Sequence, residues 1–231
     1  MTQKSIEIKD QTIHIWQISL VASQEELNHL HSLLSTNELA RANRFKFEKH
    51  RNRFIIARAH LRKILSYYLN CLPQDIHFQY AQRGKPFLTD TSLQFNLSHS
   101  EDVAIVALRN QYDIGVDIEK IESPFKEDVA KRFFSDKEYK LLQTLDDSQK
   151  VKAFYTIWSK KEALIKALGE GLFAPLDKFS VTLNPDVEVI ELLHQNQIVQ
   201  YFVKNIFINN EYEAAIATAH PFEDILFQRP L

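Results

Sequence analysis

Apolar residues recur along this chain at two spacings, one helical and one strand-like, and the spacing divides the chain into elements. Residues 13–20 alternate partly in the strand manner, and residues 24–34 read as a helix. Ser35-Thr36-Asn37-Glu38 is a helix-start signal, with the cap supplied by Ser35 or a neighbour. A longer helix is predicted after Phe47 to about Leu69, because Phe54, Ala57, Leu61, Ile64, Leu65 and Tyr68 keep helical spacing. Arg83-Gly84-Lys85-Pro86 reads as a turn. Residues 93–97 and 103–109 read as strands joined by a polar link at 98–102, and residues 114–118 as another strand.

The second half repeats this plan. Residues 125–145 hold one or two helices, with a start at Ser135-Asp136, and residues 151–168 form a strong helix ended by Gly169 and Gly171. Strand-like segments follow at 179–183, 187–193, 198–208 and 213–219. Two halves, each with a main helix and several mostly antiparallel strands, predict an α+β fold with a seam near residues 110–113.

Composition narrows the class. The chain has 231 residues, 45% hydrophobic and 25% charged, with only four glycines and seven prolines, which excludes collagen-like and largely disordered readings. No apolar run approaches the roughly 20 residues of a membrane helix, and residues 1–10 lack an apolar signal-peptide core. Cys71 is the only cysteine, which rules out a disulfide framework or a cysteine zinc site and fits a reducing cytosol.

Net charge is −2, but its distribution is uneven. Residues 38–69 hold nine Lys or Arg against two Glu, a local +7, while the remainder sums to −9. Such a segment is either a solvated helix face or the footprint of a polyanion: nucleic acid, nucleotide or acidic protein. A net charge of −2, with no interleaving of aromatic and basic residues, argues against a dedicated nucleic-acid binder.

Several residues are candidates for chemistry. In Gly115-Val116-Asp117-Ile118-Glu119, a strand directs Asp117 and Glu119 to one face, with Ile114, Val116 and Ile118 turned the other way and buried. Adjacent carboxylates repel unless something positive sits between them, and a hard oxygen-seeking cation such as Mg²⁺ is the usual solution. The plain alternative is an exposed strand face. In Trp158-Ser159-Lys160-Lys161-Glu162-Ala163, Lys161 falls within an apolar arc of the helix, Glu162 at its edge, and Lys166 one turn beyond. Either Lys161 snorkels to water, or Glu162 supplies a third carboxylate to a metal while Lys161 and Lys166 supply two cations to a phosphate. Asn96-Leu97-Ser98-His99-Ser100 reads as a polar turn or as a set of phosphate donors; neighbouring residues there point apart, which disfavours a direct Ser98–His99 relay. Gly84-Lys85-Pro86 is a rigid turn that could hold Lys85 against an anion. A Mg²⁺-dependent nuclease or phosphohydrolase built on Asp117, Glu119 and a nearby lysine is an alternative reading of the same residues.

Taken together and in order, Arg83-Gly84-Lys85-Pro86, Phe95-Asn96-Leu97-Ser98-His99-Ser100, Gly115-Val116-Asp117-Ile118-Glu119 and Trp158-Ser159-Lys160-Lys161-Glu162-Ala163, with Lys166 and Gly169-Glu170-Gly171-Leu172, resemble the motifs of the 4′-phosphopantetheinyl transferase family, specifically its larger Sfp type. The resemblance runs from about residue 35 to 172. It implies two similar halves related by pseudo-twofold symmetry, residues 1–112 and 113–231, each a small mostly antiparallel sheet on a long helix, in a cytoplasmic monomer. It implies coenzyme A and Mg²⁺ as ligands and an apo acyl or peptidyl carrier protein as partner, with no nucleic acid and no membrane. Carried over by position, Asp117, Glu119 and Glu162 would hold Mg²⁺. Lys85 with Pro86, Ser98, His99, Lys161 and Lys166 would contact coenzyme A phosphates, and Arg41, Arg44 and Arg53 would reach its 3′-phosphate and nearby groups. Glu162 would act as base, directly or through a metal-bound water, with Lys161 and His99 stabilising the leaving group. Some relatives carry a lysine where Glu38 lies. Residues 124–139, with Lys126, Lys131, Arg132, Phe133 and Phe134, would contribute to carrier docking, although the paired phenylalanines could equally be core.

Overall fold

The computed structural model describes residues 6–169, 175–194 and 196–228. It begins with β1 (Thr12–Ser19), α1 (Gln24–Ser32), α2 (Thr36–Ala42) and α3 (Glu48–Leu69). Then come the short strands β2 (Gln79–Tyr80) and β3 (Pro86–Phe87), followed by β4 (Leu93–Ser100), β5 (Val103–Asn110) and β6 (Ile114–Lys120). The second half adds α4 (Glu127–Phe133), α5 (Asp136–Thr144), α6 (Asp147–Leu168), β7 (Glu188–His194), β8 (Gln197–Asn209), β9 (Tyr212–Thr218) and β10 (Asp224–Gln228). The fold is α+β. One four-stranded sheet has the order β10-β1-β5-β4, the other β6-β9-β8-β7, and β2 pairs with β3. Among the described residues no helix is long and apolar enough to cross a membrane.

The local rules are met where the side chains can act. Ser23, Ser35 and Ser135 each cap a helix in a reciprocal box with a glutamate three residues on. Asn70 and Gly169 close the two 22-residue helices α3 and α6 in the left-handed conformation, Gly169 at φ 75°. The layers then stack helices, sheet, sheet, helices. One apolar cluster joins β1, β4 and β5 to α1 and α3, and another joins α4–α6 to β7–β9. Between the sheets, Ile13, Ile15, Ile105 and Ala107 meet Ile114, Val116, Ile118 and Ile216. Strand β5 is covered on both faces, which is why its sequence is a continuous apolar run rather than an alternating one.

Three expectations need correction. The polar link expected at 98–102 is mostly strand: β4 runs through Ser100, and the hairpin turns at Glu101, with φ 46°, and Asp102. Residues 179–183 are not a strand, because side chains take up their backbone groups. Glu138 accepts from the Val181 amide, Glu188 from the Thr182 amide, and Lys160 and Lys161 donate to the Thr182 and Phe179 carbonyls. Finally, β10 went unread. It departs from a division of the chain at 112/113, since it pairs in parallel with β1 and extends the first sheet. A parallel partner more than 200 residues away in sequence leaves no local signal.

Candidate active site

The site forms where β6 lies against α6. Gly115 permits the approach: a Cβ there would stand 2.0 Å from the Ala163 carbonyl oxygen and 2.3 Å from the Ala167 amide nitrogen. Strand alternation then turns Asp117 and Glu119 toward the same helix, where Trp158, Glu162 and Lys166 recur at four-residue spacing on one face. The edge strand β4 closes the other side with three alternate residues. Asn96 Oδ1 accepts from the Val116 amide at 2.9 Å, Ser98 Oγ donates to Asp117 Oδ1 at 2.9 Å, and Ser100 Oγ donates to Glu119 Oε2 at 3.1 Å. Ser98 and His99 point apart, so His99 is on the opposite face of β4.

The cluster is short of positive charge. Lys166 Nζ donates to Asp117 Oδ1 and to Ser98 Oγ, but Asp117 Oδ2 and Glu162 Oε1 are buried without a hydrogen-bond partner among the described residues. Burial, reinforced by the Asp117 charge, pushes Glu119 up to about 7. Burial, with Asp117 and Glu119 adding to it against the Lys166 charge, pushes Glu162 up to about 7. Lys166 is held above its ordinary value: desolvation opposes its charge, but Asp117 and Glu162 outweigh that. Among the described residues no three His, Cys, Asp or Glu side chains converge closely enough to chelate a metal by themselves. An all-oxygen donor set with two orphaned carboxylate oxygens does fit a hard divalent cation that completes its shell with water and phosphate oxygens.

A cationic run adjoins the carboxylates. A cavity of about 220 Å³ is lined by Lys85, Pro86, Asn96, Leu97 and Lys166. Among the described residues Lys85 Nζ donates to two backbone carbonyls, Ile114 at 3.1 Å and Ala167 at 3.4 Å, and burial lowers its pKa. A neighbouring cavity of about 210 Å³ shares Gly84, Pro86 and Leu97 as a wall and is lined by Arg41, Arg58 and His99. Arg41 also borders a third space, with Arg44. Another cavity, about 840 Å³ between β1, α1 and α3, lies away from all of these residues.

Two expected site residues are engaged elsewhere. Lys161 does not snorkel, nor does it face the carboxylates. Its ammonium is fully buried on another side of α6, 2.8 Å from Glu138 and bonded to the Leu176 and Phe179 carbonyls. The cause is helical rotation: Lys161 and Glu162 are adjacent, so about 100° separates them around the axis. The structure therefore does not bring Lys161 to a phosphate or a leaving group. Arg53 is committed to the β4–β5 turn, with ion pairs to Glu101 at 2.8 Å and Asp102 at 2.6 Å. Phe134 is buried and stacks on Phe154, while the partly buried Phe133 packs on Trp158. Gly171 and Leu172 lie outside the described residues. Sequence reasoning missed Ser100, Trp158 and Arg58. The first two were legible as i+2 and i−4 neighbours of Ser98 and Glu162, whereas nothing in the basic segment singles out Arg58.

Comparison with known proteins bears on the same segments. Residues 113–220 match the 4′-phosphopantetheinyl transferase superfamily, and residues 19–111 match the family described as 4′-phosphopantetheinyl transferase, N-terminal. The 4′-phosphopantetheinyl transferase HetI of Nostoc is 44% identical over 178 residues, which span 75% of this chain and 75% of HetI. The 4′-phosphopantetheinyl transferase Sfp of Bacillus subtilis is 36% identical over 201 residues, which span 86% of this chain and 88% of Sfp. The crystal structure of Thermotoga maritima holo-[acyl-carrier-protein] synthase covers 47% of this chain and 63% of its own at 20% identity, with a TM-score of 0.32, too low to add to the assignment. With both halves of the fold matched, and relatives at this identity spanning most of it, the chain belongs to the 4′-phosphopantetheinyl transferase superfamily.

Proposed function

We propose that the protein moves the 4′-phosphopantetheine group of coenzyme A onto a serine of an apo acyl or peptidyl carrier protein and releases adenosine 3′,5′-bisphosphate. The observation that carries this reading is the site's charge pattern. Three carboxylates share one ammonium beside a lysine-lined cavity, so the site needs both a cation and a polyanion to complete it.

In this reading Lys85 and Lys166 hold the pyrophosphate of coenzyme A, with Ser98 orienting Lys166. Arg41, Arg44 and His99 border the adjoining spaces and receive the nucleoside end. Asp117, Glu119 and Glu162 would hold Mg²⁺, which when bound neutralises the pyrophosphate charge. Glu162 is the general base. Its Oε1 has no hydrogen-bond partner among the described residues, which leaves an acceptor for the hydroxyl proton of the carrier serine. The carrier serine oxygen forms a bond to the β-phosphorus, the bond from that phosphorus to the bridging oxygen breaks, and the electron pair leaves with adenosine 3′,5′-bisphosphate. Lys85 and Lys166 stabilise the charge that develops there. The carboxylates and the β4 serines come from one polypeptide, which supports a monomeric enzyme. Lys126 lines the cavity beside Glu119, which favours a carrier arriving along residues 124–139.

Incubation with coenzyme A, Mg²⁺ and a panel of apo carrier proteins, followed by intact mass spectrometry of the carriers, tests this. The expected result is a gain of one phosphopantetheine that EDTA abolishes. Folded protein that neither modifies a carrier nor binds coenzyme A contradicts it. Mg²⁺-dependent hydrolysis of nucleic acid or phosphoesters in its place supports the nuclease reading.

A further inference from the structure

Glu101 and Asp102 are an uncommon choice for the tip of a hairpin. Ser100 pairs with Val103, so the β4–β5 turn has two residues, and such turns favour Asn or Gly where φ is positive. Glu101 instead takes φ 46°, a conformation that a residue with a Cβ keeps only where its surroundings hold it. Both turn carboxylates engage one cation. Arg53 lies on α3 with its side chain 8% exposed. Its Nη2 donates to Glu101 Oε2 at 2.8 Å and to Asp102 Oδ1 at 2.6 Å, and its Nε to the same Asp102 oxygen at 3.1 Å. Lys49 adds a contact to Glu101 at 3.4 Å, and the Leu20 amide donates to the Asp102 carbonyl at 2.8 Å. The Leu20 bond fixes one backbone group, whereas the guanidinium ties both side chains of the turn to the helix.

The turn carries Ser100 into the carboxylate cluster. Ser100 Oγ accepts from the Lys120 amide at 3.0 Å and donates its one proton to Glu119 Oε2 at 3.1 Å. Trp158 Nε1 donates to the other Glu119 oxygen at 3.3 Å. Strands β4 and β6 share no backbone ladder, so the place of Ser100 beside Glu119 depends on where the hairpin tip rests. Ser100, Glu101, Glu119 and Trp158 line one cavity of about 330 Å³, which shares no residue with the Lys85–Lys166 space. A contact on α3 thus reaches the carboxylates through one turn and one hydroxyl.

We propose that Arg53 is a positioning residue of the transfer centre: by fastening the Glu101–Asp102 turn to α3 it sets Ser100, and through Ser100 the direction of the Glu119 carboxylate. This rests on the transferase reading and deepens it. It replaces the donor-phosphate contact that the sequence resemblance implies for Arg53. An arginine that aims Glu119 bears on the transfer rate and on the binding of a divalent cation, and leaves the affinity for the nucleotide end of the donor unchanged.

The test takes the wild type, Arg53→Gln, Ser100→Ala and the double variant through three measurements. These are transfer to an apo carrier, Mn²⁺ binding followed by electron paramagnetic resonance, and metal-free calorimetry with adenosine 3′,5′-bisphosphate. Arg53→Gln is expected to lower kcat about 10-fold and to weaken Mn²⁺ binding about 10-fold, as loss of a hydrogen bond to a charged group does. Its affinity for the bisphosphate should stay within about 2-fold of the wild type, and the double variant within about 2-fold of the weaker single one, because the two residues act in series. Arg53→Lys restores part of the rate. A bisphosphate affinity that falls as far as kcat returns Arg53 to the donor phosphate and overturns the proposal. So do losses that multiply in the double variant, or a lower melting temperature with unchanged kcat and Mn²⁺ binding. Should Arg53→Gln fail to fold, Asp102→Asn with and without Ser100→Ala carries the same comparison, and an unchanged kcat there overturns the proposal. Each of these outcomes leaves the transferase reading standing. A wild type that modifies no carrier and binds no coenzyme A removes that reading, and this proposal with it.

Discussion

Ser98 and Asp117 meet across the gap between two sheet edges, Oγ to Oδ1 at 2.9 Å, and Lys166 joins both. Strands β4 and β6 belong to different sheets, so side chains rather than a backbone ladder hold them in register. Ser98 thus fixes both the carboxylate and the ammonium. Replacement Ser98→Ala is expected to leave the fold intact and to lower transfer about 10-fold, the loss of one hydrogen bond to charged groups. Steady-state kinetics beside a melting curve checks this; a fall in melting temperature with unchanged kinetics contradicts it.

Glu162 gives a prediction about pH. Its pKa rises on folding from 4.5 to about 7, so its ionisation costs folded stability. That cost is absent below the unfolded value, grows as pH rises between the two values, and is complete above the folded one. Its size is on the order of 3–4 kcal/mol. Glu162→Gln is therefore expected to be more stable than the wild type at about pH 8 and nearly equal at about pH 4.5, by urea denaturation. A variant less stable than the wild type at the higher pH would show that the buried carboxylate is better satisfied than its geometry indicates.

Lys161 and Glu138 form a buried pair that ties α6 to α5 and to the segment at 176–181. Lys161→Met leaves Glu138 charged and buried without its counterion. It is expected to cost about 3–5 kcal/mol of stability. The remaining folded enzyme should keep its KM for coenzyme A. A large rise in KM at unchanged stability would return Lys161 to the phosphate site.

Gly115→Ala tests the approach of β6 to α6. The added methyl would meet the Ala163 carbonyl at 2.0 Å, and backbone cannot turn aside as a side chain can. A loss of at least about 3 kcal/mol, or failure to accumulate folded protein, is expected. A normal melting curve would mean that the helix and strand stand farther apart.

Much of this was legible in the sequence because the signals were local. The Ser35 and Ser135 caps, the α6 stop at Gly169 and the shared face of Asp117 and Glu119 each follow from spacing over a few residues. Charge patterning also singled out α3, yet could not tell its arginines apart. Arg53 and Arg62 pair closely with Glu101, Asp102 and Glu38, whereas Arg58 stands 3.6 Å from Glu38, and only tertiary contacts decide which. Lys161 shows the same limit. Its place inside the apolar arc was visible, but its partner Glu138 lies on a different helix. Strand β10 had no local cue because its partner is at the other end of the chain.

The central claim is that Asp117, Glu119 and Glu162 assemble a single transfer centre. Its most direct test is the transfer rate of Glu162→Gln, read as phosphopantetheine gained by an apo carrier with coenzyme A and Mg²⁺. Removal of the base is expected to lower that rate about 100–10,000-fold in protein that remains folded and still binds coenzyme A. A folded Glu162→Gln variant that transfers at the wild-type rate contradicts the account.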